Sequence, residues 1–139
     1  MIAFVGSRGV MSQHVARHVA WKMLALPPHT SILVRCSTRG DPRSFEASVE
    51  ALALAAGHVV TYVRPALGGR AAVFRRDYEM VDRADIVEAY FRHDMVMDGG
   101  TGHVVDAAIK RDKPVRAWVA TEEGSVDRVG ELDPAFAES

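Results

Sequence analysis

Short, mainly apolar runs, each but the last followed by a longer segment of helical period, recur along this chain, and few architectures accommodate that pattern. The runs lie at Ile2–Val5, Ser31–Arg35, His58–Val63, Ile86–Tyr90 and Pro114–Trp118. A strand that is apolar at successive positions has to be covered on both faces, which indicates a parallel sheet with helices on either side. The segments between the runs supply those helices. Ser12 is placed as an N-cap before a stripe of Val15, Val19, Met23 and Leu26, and Pro27-Pro28 ends it. A second helix is expected from about Arg43 to Ala56, closed by Gly57, and a third through Phe74, Met80 and Val81 to Ala84. Val104, Val105, Ala108 and Ile109 share one face of a fourth. Right-handed crossovers then leave one favoured topology: a single Rossmann-like, doubly wound parallel sheet of about five strands in the order 3-2-1-4-5. The 139 residues suit one such domain, expected over residues 1–120.

In that order the chain reverses direction between strands 1 and 4, and ligands of open α/β sheets bind outside the strand ends at such a point. The reversal places Gly6-Ser7-Arg8-Gly9 and the Asp98–His103 stretch on opposite walls of one crevice, with Ser37 and Thr38 at its side. Gly99, Gly100 and Gly102 lie within four residues, and glycines at that density are not read as packing residues. A loop that opens a helix presents free N–H groups and the positive end of the helix dipole to an anion. The candidate phosphate-binding residues are therefore Gly6, Ser7, Arg8, Ser37, Thr38, Gly99, Gly100, Thr101, Gly102 and His103. The plainer alternative, a tight loop needing positive φ, stays open at this level. Arg76 is a candidate cation for the same crevice. Asp106, one turn beyond His103, is placed to accept a proton or steady a cation at a sugar carbon. A carboxylate in a first helical turn is equally favourable with no function at all.

Composition narrows the remaining classes. With 48% hydrophobic and 25% charged residues the chain is an ordinary globular one, and its net charge of −1 argues against nucleic-acid binding through the overall field. Arg64, Arg70, Arg75 and Arg76 leave a local single-strand groove as a disfavoured option. No apolar run approaches the length of a membrane span, and the Met1–Gly6 start lacks the basic region of a signal peptide. A lone cysteine, Cys36, suits a reducing compartment, so a cytoplasmic location is expected. His93, Asp94, Asp98, His103 and Asp106 match no closed metal-site spacing, and neither metal nor cofactor is expected. Residues 121–139 turn acidic and lose periodicity, and are expected to form a solvated or loosely docked tail. Phe74, Tyr78, Met80 and Val81, or the Trp21 helix, offer apolar surface for a homodimer or higher homo-oligomer.

Three segments together carry a family resemblance. Val5-Gly6-Ser7-Arg8 follows the first strand, Arg76-Asp77-Tyr78-Glu79-Met80-Val81-Asp82-Arg83-Ala84-Asp85 leads into the fourth, and Gly99-Gly100-Thr101-Gly102 follows it. This resembles the SLOG superfamily of Rossmann-like nucleotide-binding domains, which includes DprA and the Lonely Guy phosphoribohydrolases. The resemblance spans residues 1 to about 118. It implies a nucleotide or nucleotide-derived ligand, and in the hydrolase branch cleavage of a nucleoside 5′-monophosphate at its N-glycosidic bond. Arg76 falls at that branch's arginine, Gly99, Gly100 and Gly102 at its glycines, His103 at its threonine and Asp106 at its glutamate. Asp77 stands where that branch has lysine, Asp98 where it has proline, and Cys36-Ser37-Thr38 where relatives show a glycine pair. The expectation is therefore a binding domain first, with hydrolysis carried by Arg76 and Asp106 as the alternative and a DprA-like interaction domain as the third reading.

Overall fold

A computed structural model of the chain describes residues 1–35, 44–65 and 69–129. The apolar runs form β1 (Ile2–Gly6), β2 (Ser31–Arg35), β3 (Val59–Val63), β4 (Ile86–Arg92) and β5 (Val115–Ala120), and a further strand, β6, covers Val126–Val129. Helices α1 (Gln13–Ala25), α2 (Phe45–Ala55), α3 (Arg70–Arg83) and α4 (Gly99–Lys110) fall between them. Among the described residues these strands make one sheet, ordered β3-β2-β1-β4-β5-β6. All neighbours are parallel except the last pair. This is a Rossmann-like α/β fold with the expected 3-2-1-4-5 order and one antiparallel strand added at its edge.

Side-chain alternation along the strands builds two cores. Ala3, Val5 and Leu33, with Val87, Ala89 and Phe91, face Met80 and Val81 of α3 and Val104, Val105 and Ala108 of α4. Phe4, Ile32, Val34 and Tyr90 face Val15, Val19 and Met23 of α1 and Phe45, Val49 and Ala53 of α2. Each fully buried Val, Leu or Phe contributes about 1.5–3 kcal/mol, so both faces of the sheet are strongly held. Local caps fix where the helices begin. Ser12 Oγ accepts from Val15 N at 3.2 Å, and Ser44 Oγ accepts from Ala47 N at 3.1 Å.

Three expectations need correction. The acidic tail does not begin at residue 121. Thr121 N donates to Ser125 O at 3.0 Å, Gly124 takes φ +86°, and β6 returns alongside β5 with Ala120 opposite Val126. Val126 packs with the α1–α2 core, and the Arg128 guanidinium lies 5.3 Å over the Trp118 ring. Four residues reading Val-Asp-Arg-Val give too short a pattern to stand out, and the strand exists because β5 offers an open edge. The second correction concerns Gly99–Gly102, which is the first turn of α4 rather than a loop ahead of it. The third concerns β4, which is not purely apolar inside. Glu88 is buried, accepting from Trp118 Nε1 at 3.0 Å, with Lys22 Nζ at 2.9 Å and Arg116 Nη1 at 3.4 Å. A carboxylate is tolerated there because it is paired on several sides. Ser37, Thr38 and Cys36 lie outside the described residues, as does the chain beyond Val129. Among the described residues no helix is long and apolar enough to cross a membrane.

Candidate functional site

The sheet order brings the end of β1 and the start of α4 together at the reversal between β1 and β4. Ser7 N donates to Tyr90 O at 2.9 Å, extending the β1–β4 ladder by one residue. Strand alternation therefore turns the Ser7 side chain to the same face as Val5, the face that α3 and α4 cover. Ser7 is 3% exposed, and its Oγ is buried with no hydrogen-bond partner among the described residues. Leaving such a group unmatched costs about 1–3 kcal/mol, which makes it the exception here that requires an explanation.

Arg35, at the end of β2, occupies the same corner. Its Nη2 donates to Gly6 O at 3.1 Å and to Thr101 Oγ1 at 3.0 Å. Its Nε stands 3.9 Å from Glu46 Oε1. Its Nη1 has no acceptor among the described residues and lies 3.1 Å from where a Cβ on Gly100 would stand. Burial pulls the Arg35 pKa below its ordinary value, opposed by the charges of Asp77 and Glu46 and reinforced by Arg76. A guanidinium has enough margin to stay charged.

The first turn of α4 completes the corner. Gly102 N donates to Asp98 O at 3.1 Å, so the amides of Gly99, Gly100 and Thr101 precede the first intrahelical bond. Asp98 occupies the N-cap without making a side-chain cap, unlike Ser12 and Ser44 on their helices. Gly99 and Gly100 are exposed while Thr101 and Gly102 are buried. These glycines serve different ends. Gly99 takes φ +67°. Gly102 is needed for packing after all: a Cβ there would stand 2.1 Å from Met97 O. Gly6 has a packing reason too, since its Cβ would meet the Phe45 ring at 2.5 Å.

The remaining candidates separate. Arg76 reaches Asp77 Oδ1 through Nε at 3.2 Å and Nη2 at 3.1 Å, and His103 Nδ1 lies 3.1 Å from Asp77 Oδ2. Asp77 is thus a buried hinge between Arg76 and His103, which in turn packs against the Phe74 ring at 4.5 Å and the Tyr78 ring at 5.4 Å. Arg8 is exposed, beside Gly9 at φ +73°, and a Cβ on Gly9 would lie 3.6 Å from Arg92 Nη1. Asp106 is half exposed and paired with Lys110 Nζ at 2.9 Å, one turn along the same helix. Sequence reading missed Arg35, which looks like an ordinary strand-end arginine. The only local hint was a cation directly after three buried residues.

Other features carry less chemistry. Among the described residues no three of His, Cys, Asp or Glu stand together as metal ligands. An open groove of about 340 Å³ runs between α1 and the β6 hairpin, lined by His14, Arg17, His18, Trp21, Gly124 and Val126. It contains no buried unpaired polar group, whereas the β1–α4 corner does. Compared with known proteins, the chain matches no family model and no curated sequence.

Proposed function

We propose that this chain is a SLOG-like domain that binds a nucleotide or nucleotide-derived ligand in the crevice between β1 and α4, without turning it over. The observation that carries the reading is the first turn of α4: uncapped, exposed at Gly99 and Gly100, and set against the end of β1 and the Arg35 guanidinium. Amides at a helix start recognise oxyanions whatever base is attached, and a guanidinium adds a charge-assisted hydrogen bond. Arg8 and Arg92 supply further positive charge on the outer rim, Arg92 being shared with Asp94 at 2.9 Å. Binding is preferred to hydrolysis because Asp106, the carboxylate that cleavage would employ, is turned to solvent and engaged by Lys110. A lone cysteine accords with a cytoplasmic setting.

Self-association belongs to the same proposal. Val73, Phe74 and Tyr78 are each more than a third exposed on α3, next to His103. A second copy covering them would close the wall of the crevice that Arg76 and Asp77 occupy; light scattering that gives a monomer mass at every concentration overturns this part. The main reading is tested by calorimetric titration with a panel of nucleotides, alongside chromatography for released base. Wild type is expected to bind at least one member and release no base. Gly100→Val, which adds bulk beside Arg35 Nη1, is expected to lose that binding. Equal binding by Gly100→Val would place the site elsewhere, and released base would make the protein a hydrolase.

A further inference from the structure

The side of α1 turned to the β6 hairpin is chemically unlike the crevice at β1 and α4. His14, Arg17, His18 and Trp21 recur at i, i+3, i+4 and i+7, so they form one stripe of α1, beside the Val15, Val19 and Met23 stripe that enters the core. With Gly124 and Val126 across from them, they line an open groove of about 340 Å³. At one end the His14 ring meets the hairpin turn: Gly124 holds φ +86°, and a Cβ on it would stand 2.6 Å from His14 Nε2. Two turns along α1, Trp21 is 62% exposed with its ring 5.7 Å from that of His18, which gives the groove an aromatic wall.

The polar groups of this groove are donors. His18 Nδ1 lies 2.8 Å from the hydroxyl of buried Tyr90. Burial and the Glu88 charge push the Tyr90 pKa up, so the phenol keeps its hydrogen and donates it to Nδ1. Neutral His18 then carries its own hydrogen on Nε2, which has no partner among the described residues. The Trp118 ring, 4.3 Å away, holds the imidazole in that orientation. Arg17 and His14 likewise make no hydrogen bond or ion pair among the described residues, and no carboxylate is among the lining residues.

We infer that this groove is a second binding site, separate from the β1–α4 crevice, for a planar aromatic monocarboxylate. Trp21 supplies the face on which the ring stacks, and Val126 the apolar surface across from it. Arg17 takes the carboxylate, whose two oxygens match its planar fork, and the His18 Nε2–H is a further donor in the same groove. One unpaired guanidinium offsets one negative charge, and a cationic ligand would find no counter-charge. Small-molecule sites span about 300–1,000 Å³, so a groove of about 340 Å³ suits one or two rings. This site stands or falls independently of nucleotide binding.

The experiment is an NMR titration of the nitrogen-15-labelled full chain with 2-naphthoate, 2-naphthylmethanol, 2-naphthylmethylammonium and the saturated acid decahydro-2-naphthoate. The acid 2-naphthoate is expected to shift the Trp21 indole N–H and the amides of His14, His18 and Gly124, with Kd on the order of 1 mM or tighter. The amides of Gly99, Gly100 and Thr101 should stay in place. The alcohol, the ammonium and the saturated acid should each bind more weakly by about fivefold or more. Arg17→Gln should weaken 2-naphthoate about tenfold, and Trp21→Ala roughly three- to tenfold. Both side chains are exposed, so neither variant should lower the thermal midpoint appreciably. Arg83→Gln, on the exposed side of α3, should bind as wild type does and controls for diffuse attraction of anions. The site is overturned if 2-naphthoate moves none of these resonances at about ten times the expected Kd. It is equally overturned if the ammonium or the saturated acid binds as well, if Arg17→Gln or Trp21→Ala binds unchanged, or if Arg83→Gln weakens binding as much as Arg17→Gln. Shifts centred on Gly99, Gly100 and Thr101 instead would place the acid in the nucleotide crevice and remove the second site.

Discussion

Replacing Gly102 by alanine sets two effects of opposite sign against each other. Gly102 sits in α4 without a positive φ, so intrinsic helix propensity favours alanine by about 1 kcal/mol. Against this, the new Cβ would stand 2.1 Å from Met97 O and 2.4 Å from its carbonyl carbon, both of them backbone atoms that no rotamer change can move. Restoring ordinary contact requires the turn into α4 to open by roughly 1 Å, and overpacking of this kind costs about 1–3 kcal/mol. Opening the turn also strains the Gly102 N to Asp98 O bond and the Arg35 to Thr101 bond, each worth about 0.5–1.5 kcal/mol or more. The collision wins, with a net loss of about 2–4 kcal/mol, or roughly 6–15 °C in thermal midpoint for a domain of this size. Gly57→Ala is the control: it has φ +83° and nothing within 4 Å of its Cβ, so it measures backbone strain alone, about 1–2 kcal/mol. Circular-dichroism melts and urea unfolding give both numbers. A Gly102→Ala variant as stable as wild type would mean that the Met97 carbonyl does not close against α4, and the geometry of the candidate site would fall with it.

Lys22→Met leaves the buried Glu88 carboxylate with Trp118 Nε1 and the half-exposed Arg116, and is expected to cost about 3 kcal/mol in urea unfolding; Lys22→Met with Glu88→Gln should recover part of the loss, and no recovery argues against the ion pair. His18 lies below its ordinary value of 6.5 through burial and the Lys22 charge, with Glu88 opposing. The unfolded chain therefore binds the proton first, so stability is level above pH 7 and falls as pH drops from about 6.5 toward the folded value. The fall should be shallower in His18→Gln, and equal slopes would remove His18 as its cause. Asp106→Asn should change stability by less than about 0.5 kcal/mol, as for other exposed i,i+4 pairs, and leave ligand affinity unaltered; a large affinity loss would return Asp106 to the site.

What the sequence determined by itself is whatever depends on neighbours a few residues apart. Apolar runs at Ile2, Ser31, Val59, Ile86 and Val115 became strands, and Ser12 became a cap, because burial period and capping are local properties. Given alternating strands and helices, crossover handedness then set the 3-2-1-4-5 order. Only the tertiary structure decided matters that turn on atoms distant in the chain. Arg35 reads as a solvent-facing strand end, yet it points inward because Gly6 and Thr101, 29 and 66 residues away, accept its hydrogen bonds. Asp77 reads as a helix-surface carboxylate, yet it is buried because Arg76 and His103 pair with it. Glu88 survives inside β4 through Lys22 and Trp118, and β6 forms on the edge that β5 offers. Desolvating a polar or charged group is costly unless a partner is waiting, and where partners wait is a property of the assembled fold.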